Sequence, residues 1–132
     1  MGDARKARCT PRVVSVFTDV ARVVRAAALA DSELAADPLD VSQVVSGDPE
    51  VRVLALHDSA DLAVGVWQHS AGVSTDVEAD EIFVVLSGRA TVEVLDGPTL
   101  EIGPGDVGLL PAGARTTWTV HETLRKIYVV RP

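Results

Sequence analysis

The chain has 132 residues, 47% of them hydrophobic and 23% charged, with a formal net charge of -7. That length makes one domain with a real core, and the acidic balance excludes the basic footprint that nucleic-acid binding requires. No apolar run reaches the roughly 18 residues of a membrane-spanning helix. The first residues lack the charged-then-apolar layout of a secretion signal, so no membrane association and a cytoplasmic location are expected. The single cysteine, Cys9, excludes an intrachain disulfide.

Taken in chain order, residues 1–15 hold Arg5, Lys6, Arg8 and Arg12 beside Thr10 and Pro11 and are expected to form a flexible tail. Residues 16–132 form the single domain. Thr18-Asp19 is a plausible cap for a helix over residues 19–30, with Val20, Val23, Val24, Ala27 and Ala28 on its apolar stripe. That helix is expected to pack on the outside of something larger. Asp37-Pro38 breaks the chain, and from residue 41 onward the pattern changes. Apolar runs fall at 41–45, 51–57, 62–69, 81–87, 90–95, 99–102, 107–110, 114–120 and 124–130. Turn residues separate them, including Ser46-Gly47-Asp48-Pro49, Ser70-Ala71-Gly72 with its polar extension, Ser87-Gly88 and Asp96-Gly97-Pro98. This spacing predicts an all-β sandwich or barrel, with tight hairpins at Ser87-Gly88 and Asp96-Gly97. The acidic run Asp76 to Glu81 reads most simply as a solvated loop leading into a strand.

Two patterns carry a resemblance. One is Glu81, six residues, Gly88; the other is Gly105, five residues, Pro111-Ala112-Gly113. Val45 to Glu50, Gly65-Val66-Trp67, Gly103 to Asp106, Thr117 to Val120 and Glu122 to Tyr128 extend the likeness over residues 43–130. Together they resemble the cupin superfamily, and within it the ureidoglycine aminohydrolase-like and ethanolamine-utilisation-like small cupins. The resemblance implies a cupin-type jelly-roll barrel, with the short N-terminal helix outside it, and a homodimer. Gly88, Gly105 and Gly113 are expected at corners where a side chain would clash. Metal-dependent cupins carry a His-x-His pair before the glutamate and a histidine three positions after the last glycine. Here those positions fall on Thr75 and Val77, or Ser74 and Asp76, and on Thr116. The metal site is therefore degenerate, and no metal or other cofactor is expected. His57, His69 and His121 all lie off the ligand positions. A divalent ion on a rearranged set from His69, His121, Asp76, Glu78 and Asp80 is the alternative.

If Glu81 faces the barrel interior as the cupin glutamate does, strand alternation turns Phe83 and Val85 inward and Ile82, Val84 and Leu86 outward. The same alternation places Trp118 and Val120 inward with Thr116. Trp67 and Tyr128 are expected near the mouth. Lys126 shares a face with Tyr128 and either holds a ligand anion, pairs with Glu81, or lies exposed. One carboxylate in an apolar pocket is a candidate general acid or base. The expected function is binding of a small polar molecule, with Glu81 as the catalytic acid/base in a metal-independent isomerisation, elimination or hydrolysis. Phe83, Thr116, Trp118, Trp67, Lys126 and Tyr128 would contact the ligand. Two alternatives remain beside it. One is a non-catalytic ligand-binding or sensing barrel, and the other is a structural dimerisation module with a filled barrel; in a purely structural role Glu81 would bond Thr116 or Lys126.

Overall fold

The computed structural model describes residues 21–132, and the predicted tail and the first residues of the predicted helix lie outside them. The rest is an all-β jelly roll. Its strands are β1 (Ala35–Ala36), β2 (Val44–Ser46), β3 (Val51–Asp58), β4 (Ala63–His69), β5 (Gly72–Val77), β6 (Asp80–Val94), β7 (Thr99–Ile102), β8 (Val107–Leu110) and β9 (Arg115–Arg131). Among the described residues a short helix, α1 (Ala26–Ala30), precedes them, and a 3-10 turn spans Val41–Gln43.

Two long strands organise the barrel. β9 pairs antiparallel with β6 along most of its length, from Asp80 opposite Arg131 to Val94 opposite Thr116. On its other edge, the first half of β9 pairs with β5 and the second half with β4. β6 carries β8 beside its first half and β7 beside its second. Both long strands turn a corner where the β6–β9 register shifts, between Val85 and Ala90. Gly88 sits in that bulge with φ +88°, and a Cβ there would run into the carbonyl of Thr123. The corner therefore requires glycine for its backbone angle and for close approach of the partner strand.

Several expectations are corrected in detail. Runs 81–87 and 90–95 are one bent strand, as are 114–120 and 124–130, because a bulge lets β6 and β9 continue through the corner instead of closing a hairpin. The polar stretch after Ser70 is not a loop. It forms β5, whose alternate residues face a polar interior, so no apolar period marks it. At Gly105 and Gly113 no atom would meet an added Cβ; both have positive φ, which alone favours glycine there. The Asp96-Gly97 turn forms as expected, with Gly97 N–H donating to the Val94 carbonyl between β6 and β7.

The helix differs most from expectation. Within the described residues only Ala26–Ala30 is helical, while Val23, Val24, Ala27 and Ala28 are exposed. A five-residue helix is little more than one turn and presents no stripe. Leu29 alone docks into the protein. The segment is held instead by Arg125, whose Nη1 donates to the carbonyls of Leu29, Ala30 and Ser32 at 2.8–3.0 Å, while its Nε donates to Gln68 Oε1. A guanidinium on the last carbonyls of a helix satisfies acceptors that the helix itself leaves open.

Candidate functional site

Inside the barrel, β6 contributes Glu81, Phe83 and Val85 to the interior, and β9 contributes Thr116, Trp118, Val120, Leu124, Lys126 and Tyr128; all are buried. Ile82 lies outward, as period-2 alternation requires. Lys126 is directly opposite Trp67 on β4 and Val85 on β6. Its ammonium is fully enclosed, and Nζ donates to Glu81 Oε2 at 2.9 Å. Three rings surround the same atom, with centroids at 4.3 Å (Phe83), 4.3 Å (Trp118) and 4.5 Å (Trp67). The rings contact one another at 5.6 and 5.9 Å between centroids in tilted and edge-on geometry, an arrangement worth about 0.5–1.5 kcal/mol per pair beyond area burial. Glu81 thus has an ammonium beside it, and the lone carboxylate in an apolar pocket expected from the sequence is replaced by a caged ion pair. The other carboxylate oxygen, Glu81 Oε1, is buried and meets no hydrogen-bond donor among the described residues.

A second carboxylate, Glu78, stands nearby. Thr116 Oγ1 donates to its Oε2 at 2.7 Å and Trp118 Nε1 donates to it at 3.1 Å. Burial opposes ionisation of Glu78, but the positive charge around it, Lys126 included, and the two donors prevail and hold its carboxyl below the ordinary range. Thr116, expected to orient a ligand, therefore orients Glu78. The acidic run that reads as a solvated loop thus places Glu78 inside the barrel. The β5–β9 register explains why: Ser74 and Asp76 stand opposite Trp118 and Thr116, and the same face continues to Glu78.

His69 is also fully buried. Its Nδ1 lies 2.6 Å from the Ser70 carbonyl, which can only accept, so the ring proton is on Nδ1 and Ser74 Oγ donates to Nε2 at 2.8 Å. Burial, with help from the Lys126 charge, pushes the imidazole down to about 4, so it is neutral at pH 7. His121 is exposed on the outside of β9, where it meets Thr91, and His57 pairs with Ser59. Trp67 and Tyr128, expected at the mouth, are both buried, with the Tyr128 hydroxyl packed against the space above Gly65.

The family model of the EutQ-like cupin domain matches residues 56–128, more than half of the chain. The chain belongs to the EutQ-like cupin family. No curated protein matches it. Among solved structures, the barrel is similar to the Clostridium difficile EutQ protein, with 24% identity and a TM-score of 0.56 over 64% of each chain. A Rhizobium leguminosarum protein of unknown function gives 27% identity and a TM-score of 0.56 over 62% of this chain and 81% of that one. A Pseudomonas syringae protein of unknown function from the DUF861 family gives 25% identity and a TM-score of 0.67 over 76% of this chain. This chain spans just under two thirds of the Clostridium protein and 45% of the Pseudomonas protein.

Metal-dependent cupins raise the question of whether a divalent ion fits this EutQ-like barrel. The buried Glu81 Oε1 would suit a cation or a donor, but the rest of the set does not suit a metal. Among the described residues no three His, Cys, Asp or Glu side chains converge as a metal group. The positions of the motif histidines hold Thr75 and Val77, or Ser74 and Asp76, and Thr116, and an ammonium already lies 2.9 Å from the glutamate. His69, His121 and the acidic residues named as a rearranged set are scattered between interior and surface, so that alternative does not assemble here.

Gly108 on β8 gives the cage its room. It lies opposite Phe83, and a Cβ there would penetrate the Phe83 ring. Gly108→Ala is expected to displace that ring from Lys126 and cost about 1–3 kcal/mol, the range for overpacking a tight core. Urea melts would show this, and Phe83→Leu on top should recover part of the loss.

Proposed function

We propose that the barrel interior binds a small polar organic molecule and performs metal-independent acid/base chemistry on it, of the isomerase, lyase or hydrolase type. The caged Glu81–Lys126 pair carries this reading. Burying two charges costs several kcal/mol per ion, which the pair's attraction offsets only with favourable geometry. Strongly desolvated titratable groups concentrate at functional sites. Glu81 is the group that exchanges a proton with substrate through Oε1. The ammonium beside it stabilises negative charge as it develops. Trp67, Phe83, Trp118 and Tyr128 wall the interior, and Glu78 with Thr116 supplies a second, ionised carboxylate. Incubating the protein in D2O with pooled small hydroxy, keto and amino compounds should give deuterium incorporation or consumption of one of them by NMR. Glu81→Gln should abolish that turnover while keeping the ligand's thermal shift. A thermal shift with no turnover in the parent protein would leave a non-catalytic binding or sensing barrel in its place.

The outer face supports a homodimer as the working unit. Ile82 lies between Leu109 and Val129 in register, Val107 is two residues along β8 from Leu109, and all four are exposed. A contiguous apolar face of this kind marks an interaction surface. Val129 stands opposite Val64 on β4, and a second copy of the same face would cover these side chains. Leu109→Glu should convert the dimer to a monomer in sedimentation equilibrium; a parent protein that sediments as a monomer would refute it. Among the described residues no helix is long and apolar enough to cross a membrane.

A further inference from the structure

Building on the interior reading above, we infer that Lys126 is a resident cation: the barrel holds an ammonium site, formed by Glu81 and three aromatic rings, and fills it with its own side chain where metal-dependent cupins place a divalent ion.

The geometry is that of an ammonium receptor. Nζ has a carboxylate oxygen at 2.9 Å on one side and the Trp67, Phe83 and Trp118 rings at 4.3–4.5 Å around it. Ring faces carry negative potential and attract a cation most strongly when both are removed from water, as they are here. The choice of base is informative. Lys126 is the only lysine among the described residues; every other basic side chain of fixed charge there is arginine. A guanidinium is planar with five donors in a fork and suits bidentate partners, whereas an ammonium is a compact point charge that fits a cage. Trp67 is held opposite Lys126 by the β4–β9 register, and Gly108 leaves space for the Phe83 ring, so backbone positions on four strands shape the cage. A divalent ion at Glu81 would sit against this ammonium without a converging ligand set among the described residues. The site therefore suits an ammonium, in this chain its own, in preference to a metal.

Chemical rescue tests this. Lys126→Ala removes three methylenes and the nitrogen, the shape of n-propylammonium. That cation is expected to raise the variant's thermal midpoint by several degrees in a saturable way, and n-propanol, of the same shape without charge, is not. Where the variant does not fold alone, the yield on refolding from urea with each additive reads the same difference. Parent protein expressed with Mn, Fe, Ni and Zn is expected to retain far less than one metal per chain. Equal effects of the two additives, or no effect of either, would overturn the inference. So would one equivalent of metal on the parent protein that Glu81→Gln loses. None of these readouts uses turnover, so failure of the D2O experiment and failure of the ammonium site are distinguishable.

Discussion

Lys126→Met is expected to destabilise the domain by about 3–5 kcal/mol, the usual cost of removing one partner from a buried ion pair. For a chain of this size that corresponds to a fall in Tm of roughly 10–20 °C. Methionine nearly matches lysine in length and keeps the packing against Trp67, Phe83 and Trp118, so the loss comes mainly from Glu81 left buried beside no cation. The double variant Lys126→Met/Glu81→Gln should recover much of it, because a neutral amide replaces the stranded charge. A coupling near zero between the two sites in urea denaturation would show that the pair does not act as a unit. Recovery of stability without recovery of turnover is the expected signature of charges retained for function at a cost in stability.

Acid is expected to destabilise this protein earlier than its carboxylates alone would. His69 is neutral in the fold, with its imidazole pushed down to about 4, whereas in the unfolded chain it titrates near 6.5. The unfolded state therefore binds the extra proton between those values. The His69 contribution is complete above pH 6.5 and is lost as pH falls from 6.5 toward 4. Between pH 7 and 4.5 the loss is about 2–3 kcal/mol. Glu78, lowered in the fold, adds a loss only as pH falls below its ordinary value near 4.5. Urea midpoints at half-unit pH steps should decline from pH 6.5 downward. His69→Gln, which can still pair with Ser74, should flatten the decline above pH 4.5. A parent protein equally stable at pH 7 and 5 would contradict a neutral buried His69.

Much of the barrel was legible because its β-strands obey period-2 burial. Glu81, Phe83 and Val85 on one strand, and Thr116, Trp118 and Val120 on another, face inward as alternation from the motif glutamate requires. What escaped were features that depend on pairing between distant segments. β5 was hidden because its inward residues, Ser74 and Asp76, are polar and leave no apolar rhythm. Glu78 was hidden for the same reason, since an acidic run looks solvated until the register with β9 is known. His69 has its partners close by in the chain, but only the reversal between β4 and β5 turns the Ser70 carbonyl to its Nδ1 and Ser74 to its Nε2. The N-terminal helix is present but, within the described residues, shorter than its stripe of Val and Ala suggests: only Leu29 reaches the core and Arg125 does the anchoring.

A charged, enclosed Lys126 surrounded by rings is read directly by side-chain ammonium NMR. The chain has two lysines, Lys6 and Lys126, so a ¹H–¹⁵N spectrum tuned to ammonium groups contains few signals. One should be slow to exchange with water near neutral pH, moved upfield by the ring currents of Trp67, Phe83 and Trp118, absent in Lys126→Met and displaced in Glu81→Gln. A spectrum holding only fast-exchanging signals at ordinary lysine positions would show that no caged ammonium exists, and the interior site argued from it would fall.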